Sequence, residues 1–370
     1  MWKEAGIVFL DNIKNVRNAQ DNIYDDIKAT NLPVVIYGAS AMGIQIAKLL
    51  RQHGIEPTAY AVDHEYYGSS RLFDGAQVWD FSLLRKYSDK IAVVLAIGAE
   101  SVVRSFLSDR NLKKFVFPAI VGKIAPIDYE FVRNNQEKFQ ETYDCLADEL
   151  SKKTMLAYLN LKISGDIAWN IDVYKDEPEY FINDLFQVPQ NGVYVDCGAY
   201  RGDTIEGFVN WCHGNYAKIY AMESEAFNVA ALRLYTEING WHDVEIIPKA
   251  TWDKEEKLFF NLEGEYGAAV SNDKGQFKVE GCSIDNILNG SKVDFIKMDI
   301  EGAELNALRG AEESIRRYRP SLAVCAYHRT DDLITLPQYI NSLGGYRLYL
   351  RKYGLTHEYD LVLYAVPEGE

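Results

Sequence analysis

Gly192-Val193-Tyr194-Val195-Asp196-Cys197-Gly198-Ala199-Tyr200-Arg201-Gly202-Asp203-Thr204 is a short apolar run that ends in an acid and then in a turn framed by two glycines. Val193 to Val195 have the composition of a buried strand, Asp196 stands at its carboxyl end, and the turn opens a helix over 204–211. Strand, glycine turn and helix in that order begin a nucleotide-type α/β domain. In such open sheets, ligands gather beyond the carboxyl ends of the strands.

Downstream the pattern keeps alternating. Strand 218–222 stops at Glu223, a helix covers 226–238, and strands follow at 244–247, 257–261 and 295–298. A helix over 303–311 leads to strand 321–326. Apolar strands separated by helices predict a doubly wound, mostly parallel sheet. The last two apolar runs, 346–350 and 361–366, are joined by a charged turn too short for a crossover helix, so they are expected antiparallel at one edge.

Upstream, Ile7, Leu10, Ile13, Val16, Ile23 and Ile27 fall at helical spacing, and Pro33 precedes a strand over 34–37. The turn Gly38-Ala39-Ser40-Ala41-Met42-Gly43, a helix to Leu50, a strand over 58–62 and Asp63 complete a βαβ outline of dinucleotide type. Ser40 occupies the place of the middle glycine, so a plain Rossmann-like fold weighs as much as a nucleotide site. Phe131, Phe139, Tyr143, Leu146, Leu150, Met155 and Leu159 then recur at helical intervals. The resulting division is a smaller Rossmann-like α/β domain over 1–127, a helical connector over 128–170, and the main α/β domain over 171–370.

The 370 residues carry a formal charge of −15, a surface that repels phosphate backbones and argues against a nucleic-acid partner. Five cysteines without C-x-x-C pairing point to a reduced, cytoplasmic protein. The N-terminus lacks a basic leader, and no apolar run is long enough to span a bilayer. Oligomeric state is left open, a homo-oligomer included.

Chemistry concentrates at three strand ends. Backbone N–H groups at the start of the helix after Gly202 suit a carboxylate or phosphate, Asp196 would repel a diphosphate but attract an ammonium, and Glu223 suits ribose hydroxyls. An amino acid joined to a nucleoside fits both acids; helix capping by solvated acids is the competing reading. The second cluster is Ile296-Lys297-Met298-Asp299-Ile300-Glu301-Gly302-Ala303-Glu304. It buries a lysine that needs a carboxylate nearby, and places two acids, Asp299 and Glu301, at the strand end. Glu304 reads as a first-turn helix acid favoured by the dipole. Tyr327-His328-Arg329 ends the next strand, where His328 is placed to accept a proton from a hydroxyl.

Asp196 to Thr204, the acid of Met222-Glu223-Ser224, Ser283 with Asp285, the run from Ile296 to Glu304 with Leu308 and Gly310, and Pro320 to His328 together resemble the FkbM family of methyltransferases. The resemblance implies a class I methyltransferase fold, S-adenosylmethionine as cofactor, and O-methylation of a hydroxyl on a sugar, glycan precursor or natural product. It makes Asp196, Gly198, Ala199, Tyr200, Gly202, Asp203, Thr204, Glu223, Ser224, Ala250 and Asp299 cofactor residues, and puts His328, Asp299 and Glu301 at the acceptor as catalytic candidates. No metal is assigned, although Asp299, Glu301 and His328 have the chemistry for a divalent ion. Two rivals remain: a cofactor-holding scaffold, and an NAD-linked oxidoreductase using the turn from Gly38 to Gly43.

Overall fold

The computed structural model describes residues 9–14, 19–68, 72–109, 111–116, 125–261, 269–271 and 277–369. Two of the expected first-helix positions, Ile7 and Val16, lie outside them. The rest of that segment forms a 3-10 turn, Phe9–Asn12, and a helix, Ala19–Ala29.

The chain divides into two compact units, one of Met1–Glu137, Lys153–Lys175 and Lys352–Tyr359, the other of Lys138–Lys152, Asp176–Arg351 and Asp360–Glu370. The expected edges at 127 and 170 do not coincide with these. The connector is helical, in Tyr129–Asn134, Gln136–Cys145 and Glu149–Ser164, but its residues are shared between the units.

In the first unit, β1 (Val34–Tyr37), β2 (Pro57–Val62), β3 (Leu72–Phe73), β4 (Ala76–Asp80), β5 (Ala92–Leu95) and β6 (Lys113–Val116) form a sheet in the order β3-β4-β2-β1-β5-β6. Both faces of β1 are buried, as an all-apolar strand requires: Val35 and Tyr37 pack with Val103 and Phe106, Val34 and Ile36 with Ile46 and Leu50. After β1, Ser40 caps helix Ala41–Gln52, and Asp63 accepts the Tyr37 hydroxyl at 2.7 Å. This unit also holds β7 (Tyr174–Lys175), parallel to Lys352 and Tyr353, and a buried ion pair of Lys162 with Glu358 at 2.6 Å.

The second unit contains β8 (Gly192–Cys197), β9 (Tyr216–Met222), β10 (Val244–Ile247), β11 (Ala250–Thr251), β12 (Glu256–Asn261), β13 (Ala269–Ser271), β14 (Phe277–Cys282), β15 (Phe295–Met298), β16 (Ser321–Cys325), β17 (Tyr346–Tyr353) as far as Arg351, and β18 (Leu361–Pro367). Its main sheet runs β10-β9-β8-β15-β16-β18-β17. The first five strands are parallel, β18 enters antiparallel against β16, and β17 lies beside β18 at that side of the sheet. Strand order reverses between β8 and β15, the place where open α/β sheets bind ligands.

One strand expected in this sheet is not there. Residues 257–261 belong to β12, which pairs antiparallel with β13 and β14 in a separate four-stranded sheet. The reason is visible in its side chains: Lys257 is exposed and Leu258 buried against Trp252, the alternation of a half-covered antiparallel strand. Among the described residues, no helix is long and apolar enough to cross a membrane, and all five cysteines are free thiols.

Candidate active site

Register aligns the strand ends. Cys197 of β8 stands beside Met222 of β9 and Met298 of β15, and Met298 beside Val324 of β16. The residues that follow, Gly198, Glu223, Asp299 and the Tyr327-His328 pair, therefore leave the sheet at one edge.

β8 continues through Cys197, so Asp196 lies inside the strand rather than at its end, and it is fully buried. Its partner is the residue directly across the ladder: Lys297 Nζ lies 3.3 Å from Asp196 Oδ1 and donates to the Gly198 carbonyl at 2.8 Å. Thr204 Oγ1 donates to Asp196 Oδ2. Burial alone would strip the Lys297 proton, but Asp196 and then Asp299 outweigh it and hold the ammonium charged. The ammonium that Asp196 meets within the protein is thus that of Lys297.

Above this pair the chain turns tightly. A Cβ on Gly198, at φ +80°, would stand 2.0 Å from the Asp299 carbonyl oxygen, so only glycine lets the β8 and β15 ends approach. Ala199 is buried and Tyr200 exposed; Gly202, also left-handed, precedes helix Asp203–Trp211. Glu223 ties the turn to β9, with Oε2 accepting from Tyr200 N at 3.0 Å and Oε1 from Glu225 N at 2.7 Å. Burial raises its pKa, and the backbone N–H groups of Glu225, Tyr200 and Ser224 work against that. Ala250 lies in β11, half-buried.

The acceptor-side candidates meet at the β15 and β16 ends. Asp299 receives the Tyr180 hydroxyl at 3.2 Å on Oδ2 and the Tyr327 hydroxyl at 3.4 Å on Oδ1. His328, with a side chain 4% exposed, puts Nδ1 2.9 Å from Glu304 Oε1 and Nε2 3.5 Å from Asp299 Oδ1 and 3.7 Å from Glu301 Oε2. Burial disfavours the imidazolium, but Glu304, then Asp299 and Glu301, raise its pKa to about 10. His328 is therefore charged near neutrality and cannot accept a proton there, unlike the base expected from its position. Glu301, 53% exposed, has a pKa raised by burial, against which His328 acts, and raised further by Asp299 and Glu304. Asp299 is pushed up by burial but held below the usual carboxylate value by Lys297 and His328.

Residues 196–355 match the family described as the methyltransferase FkbM domain. This part of the chain is similar to a methyltransferase FkbM domain. The crystal structure of methyltransferase FkbM from Methylobacillus flagellatus KT shares the fold, with a TM-score of 0.64 at 23% identity over 97% of this chain and 96% of that one. An rRNA methylase from Streptococcus thermophilus, at 13% identity, aligns over 50% of this chain and 90% of its own with a TM-score of 0.34. A SAM dependent methyltransferase from Aquifex aeolicus, at 14% identity, aligns over 48% of this chain and 84% of its own with a TM-score of 0.31. No curated protein matches the chain.

Within the matched residues, Asp299, Glu301 and His328 come together, as do Gly198, Tyr200, Thr204, Asp196 and Glu223 at the first turn. Tyr180 and Glu304 were not foreseen as site residues. Glu304 opens helix Glu304–Arg309, as its position suggested, but it is 1% exposed and bonds His328 and Ile300 N rather than solvent. Tyr180 reaches Asp299 from 119 residues upstream in a segment with no regular element, which leaves no periodicity to read.

Proposed function

We propose that the FkbM-like domain transfers a methyl group from S-adenosylmethionine to a hydroxyl oxygen of a sugar, glycan precursor or natural product. The alignment of four strand ends beside the switch point supports this most directly, because it sets a glycine turn and Glu223 next to the half-open carboxylates of Asp299 and Glu301.

The donor set suits that cofactor. Glu223 has two carboxylate oxygens, each already accepting one backbone N–H and each keeping acceptor capacity for a ribose hydroxyl. The turn from Gly198 to Thr204 lets main chain approach a ligand closely, and the acidic rim favours a cation. Once bound, S-adenosylmethionine supplies a methyl group already activated on a sulfonium.

The work left to this chain is to orient the acceptor and remove its proton. Glu301, the exposed carboxylate of the cluster with a raised pKa, is the base, taking the hydroxyl proton as the new bond to oxygen forms. Asp299, clamped by Tyr180 and Tyr327, orients the acceptor hydroxyl, and His328 as imidazolium holds both carboxylates in place.

Titration calorimetry with S-adenosylmethionine, followed by transfer of labelled methyl to a panel of sugar nucleotides and glycans, tests the reading. Binding with turnover on a hydroxylated acceptor is expected. Absence of binding would end it, and binding without turnover on any acceptor would favour a cofactor-holding scaffold.

A further inference from the structure

His328 Nε2 is a buried polar atom with no hydrogen-bond partner among the described residues. Its side chain is 4% exposed, a depth at which an unmet donor is costly. The other end of the ring is fixed, with Nδ1 donating to Glu304 Oε1 at 2.9 Å. Burial works against charge on the ring, but Glu304, then Asp299 and Glu301, keep it an imidazolium. Nε2 therefore carries a proton and needs an acceptor.

The two carboxylate oxygens beside it stand too far off to serve. Asp299 Oδ1 lies at 3.5 Å and Glu301 Oε2 at 3.7 Å, beyond the ~2.7–2.9 Å of a charge-assisted hydrogen bond, although both attract the ring. Asp299 Oδ1 receives the Tyr327 hydroxyl at 3.4 Å and has room for a second donor. The gap is thus bounded by a proton donor on one side and an ionised acceptor on the other. An anion there would meet the carboxylates, and a cation would meet the imidazolium. A hydroxyl is neutral and both accepts and donates on a single atom, so it completes Nε2 and Asp299 Oδ1 together.

That hydroxyl is not the one that is methylated. Each hydroxyl has one proton, and Glu301 takes the proton of the reacting oxygen. A donated N–H would also draw density from the oxygen that must attack. Two carboxylates therefore call for two hydroxyls. Both carboxylate oxygens lie within 3.7 Å of the same nitrogen, so the two hydroxyls they hold are on adjacent carbons.

We infer that the methyl acceptor is a vicinal diol, whose reacting hydroxyl faces Glu301 and whose neighbouring hydroxyl is held by His328 Nε2 and Asp299 Oδ1. Glu301, 53% exposed, turns to the reacting hydroxyl and leaves the space against Nε2 to the neighbour. The reacting oxygen bonds to the methyl carbon as the carbon–sulfur bond breaks, with the electron pair staying on sulfur and the proton passing to Glu301. Asp299 orients that oxygen through the hydroxyl beside it, which stays free in the product. The step rests on the proposed methyl transfer; the diol site itself does not.

The test uses the full chain with labelled S-adenosylmethionine and methyl glucoside, maltose and UDP-glucose, each beside its monodeoxy analogues. Methylation is expected only next to a free hydroxyl, and deleting that neighbour should lower kcat/KM by ~100-fold or more, because it leaves buried polar groups unmet. In His328→Gln the same deletion should cost ~10-fold or less. If that variant does not fold, the deoxy comparison in the wild-type chain decides. Equal rates with and without the neighbouring hydroxyl overturn the proposal. A second readout needs no turnover. In protein carrying nitrogen-labelled histidine, myo-inositol should shift the His328 Nε2–H resonance and cyclohexanol should not; no difference between the two overturns the proposal. A shift with transfer to no acceptor would overturn the methyl-transfer reading and keep the diol site, whereas transfer indifferent to the neighbour would overturn only the diol site.

Discussion

Asp196 and Lys297 stand opposite each other on β8 and β15, with Nζ 3.3 Å from Oδ1 and both side chains out of solvent. Breaking such a pair from one side strands a buried charge. Lys297→Met should therefore cost about 3–5 kcal/mol in urea unfolding, while the double variant with Asp196→Asn should recover a good part of that loss. Strictly additive losses would show that the two residues act independently.

His328 gives the domain a pH signature. Its folded pKa of about 10 lies above the ordinary 6.5, so its contribution to stability is complete below pH 6.5 and is lost as pH rises through 10. Asp332, raised to about 8 by burial and then by Glu304, loses its own contribution between about pH 4 and pH 8. Between about pH 8 and pH 9 the fall belongs to His328, before the buried thiols of Cys145 and Cys282, pushed up to about 11, add a fall of the same sign. With EDTA present, the unfolding free energy should drop there by about 1 kcal/mol per pH unit, and His328→Gln should flatten the slope. An unaltered slope in that variant would remove the imidazolium from the account.

Strand ends were easier to read from the sequence than the atoms they hold. The run 34–37 matches β1 because an unbroken apolar stretch has one stable use in a layered fold, and 244–247 matches β10 with its one charge, Glu245, on an exposed position. Glu223, Asp299 and His328 follow the ends of β9, β15 and β16, as the same logic expects, whereas Asp196 lies one residue inside β8. Protonation was not legible: the His328 charge depends on Glu304, 24 residues away in sequence and 2.9 Å away in space. Nor was β12, since strand periodicity does not say which sheet a strand joins.

Glu223→Ala removes the carboxylate that accepts Tyr200 N and Glu225 N and is assigned to the ribose. Hydrogen bonds to a charged group contribute ~1.5–3 kcal/mol, so affinity for S-adenosylmethionine should fall by roughly 10- to 100-fold in calorimetry. An unchanged dissociation constant would sink the ribose assignment.

Tyr180 separates orientation from stability. Its hydroxyl donates to Asp299 Oδ2 at 3.2 Å, and its backbone N accepts no change on mutation because it donates to the Tyr364 hydroxyl at 3.0 Å. Tyr180→Phe keeps the ring, which packs 5.4 Å from Lys297 Nζ, and deletes only the oxygen. Stability should fall by about 1 kcal/mol or less, the net worth of one hydrogen bond. Asp299 would keep one hydroxyl partner, Tyr327 at 3.4 Å, and gain freedom to rotate. Methyl transfer should therefore slow by about 10-fold in kcat with S-adenosylmethionine affinity unchanged, because misplacing an orienting group raises the barrier without weakening cofactor contacts. Wild-type kcat in a folded Tyr180→Phe would leave Asp299 oriented by its other neighbours alone.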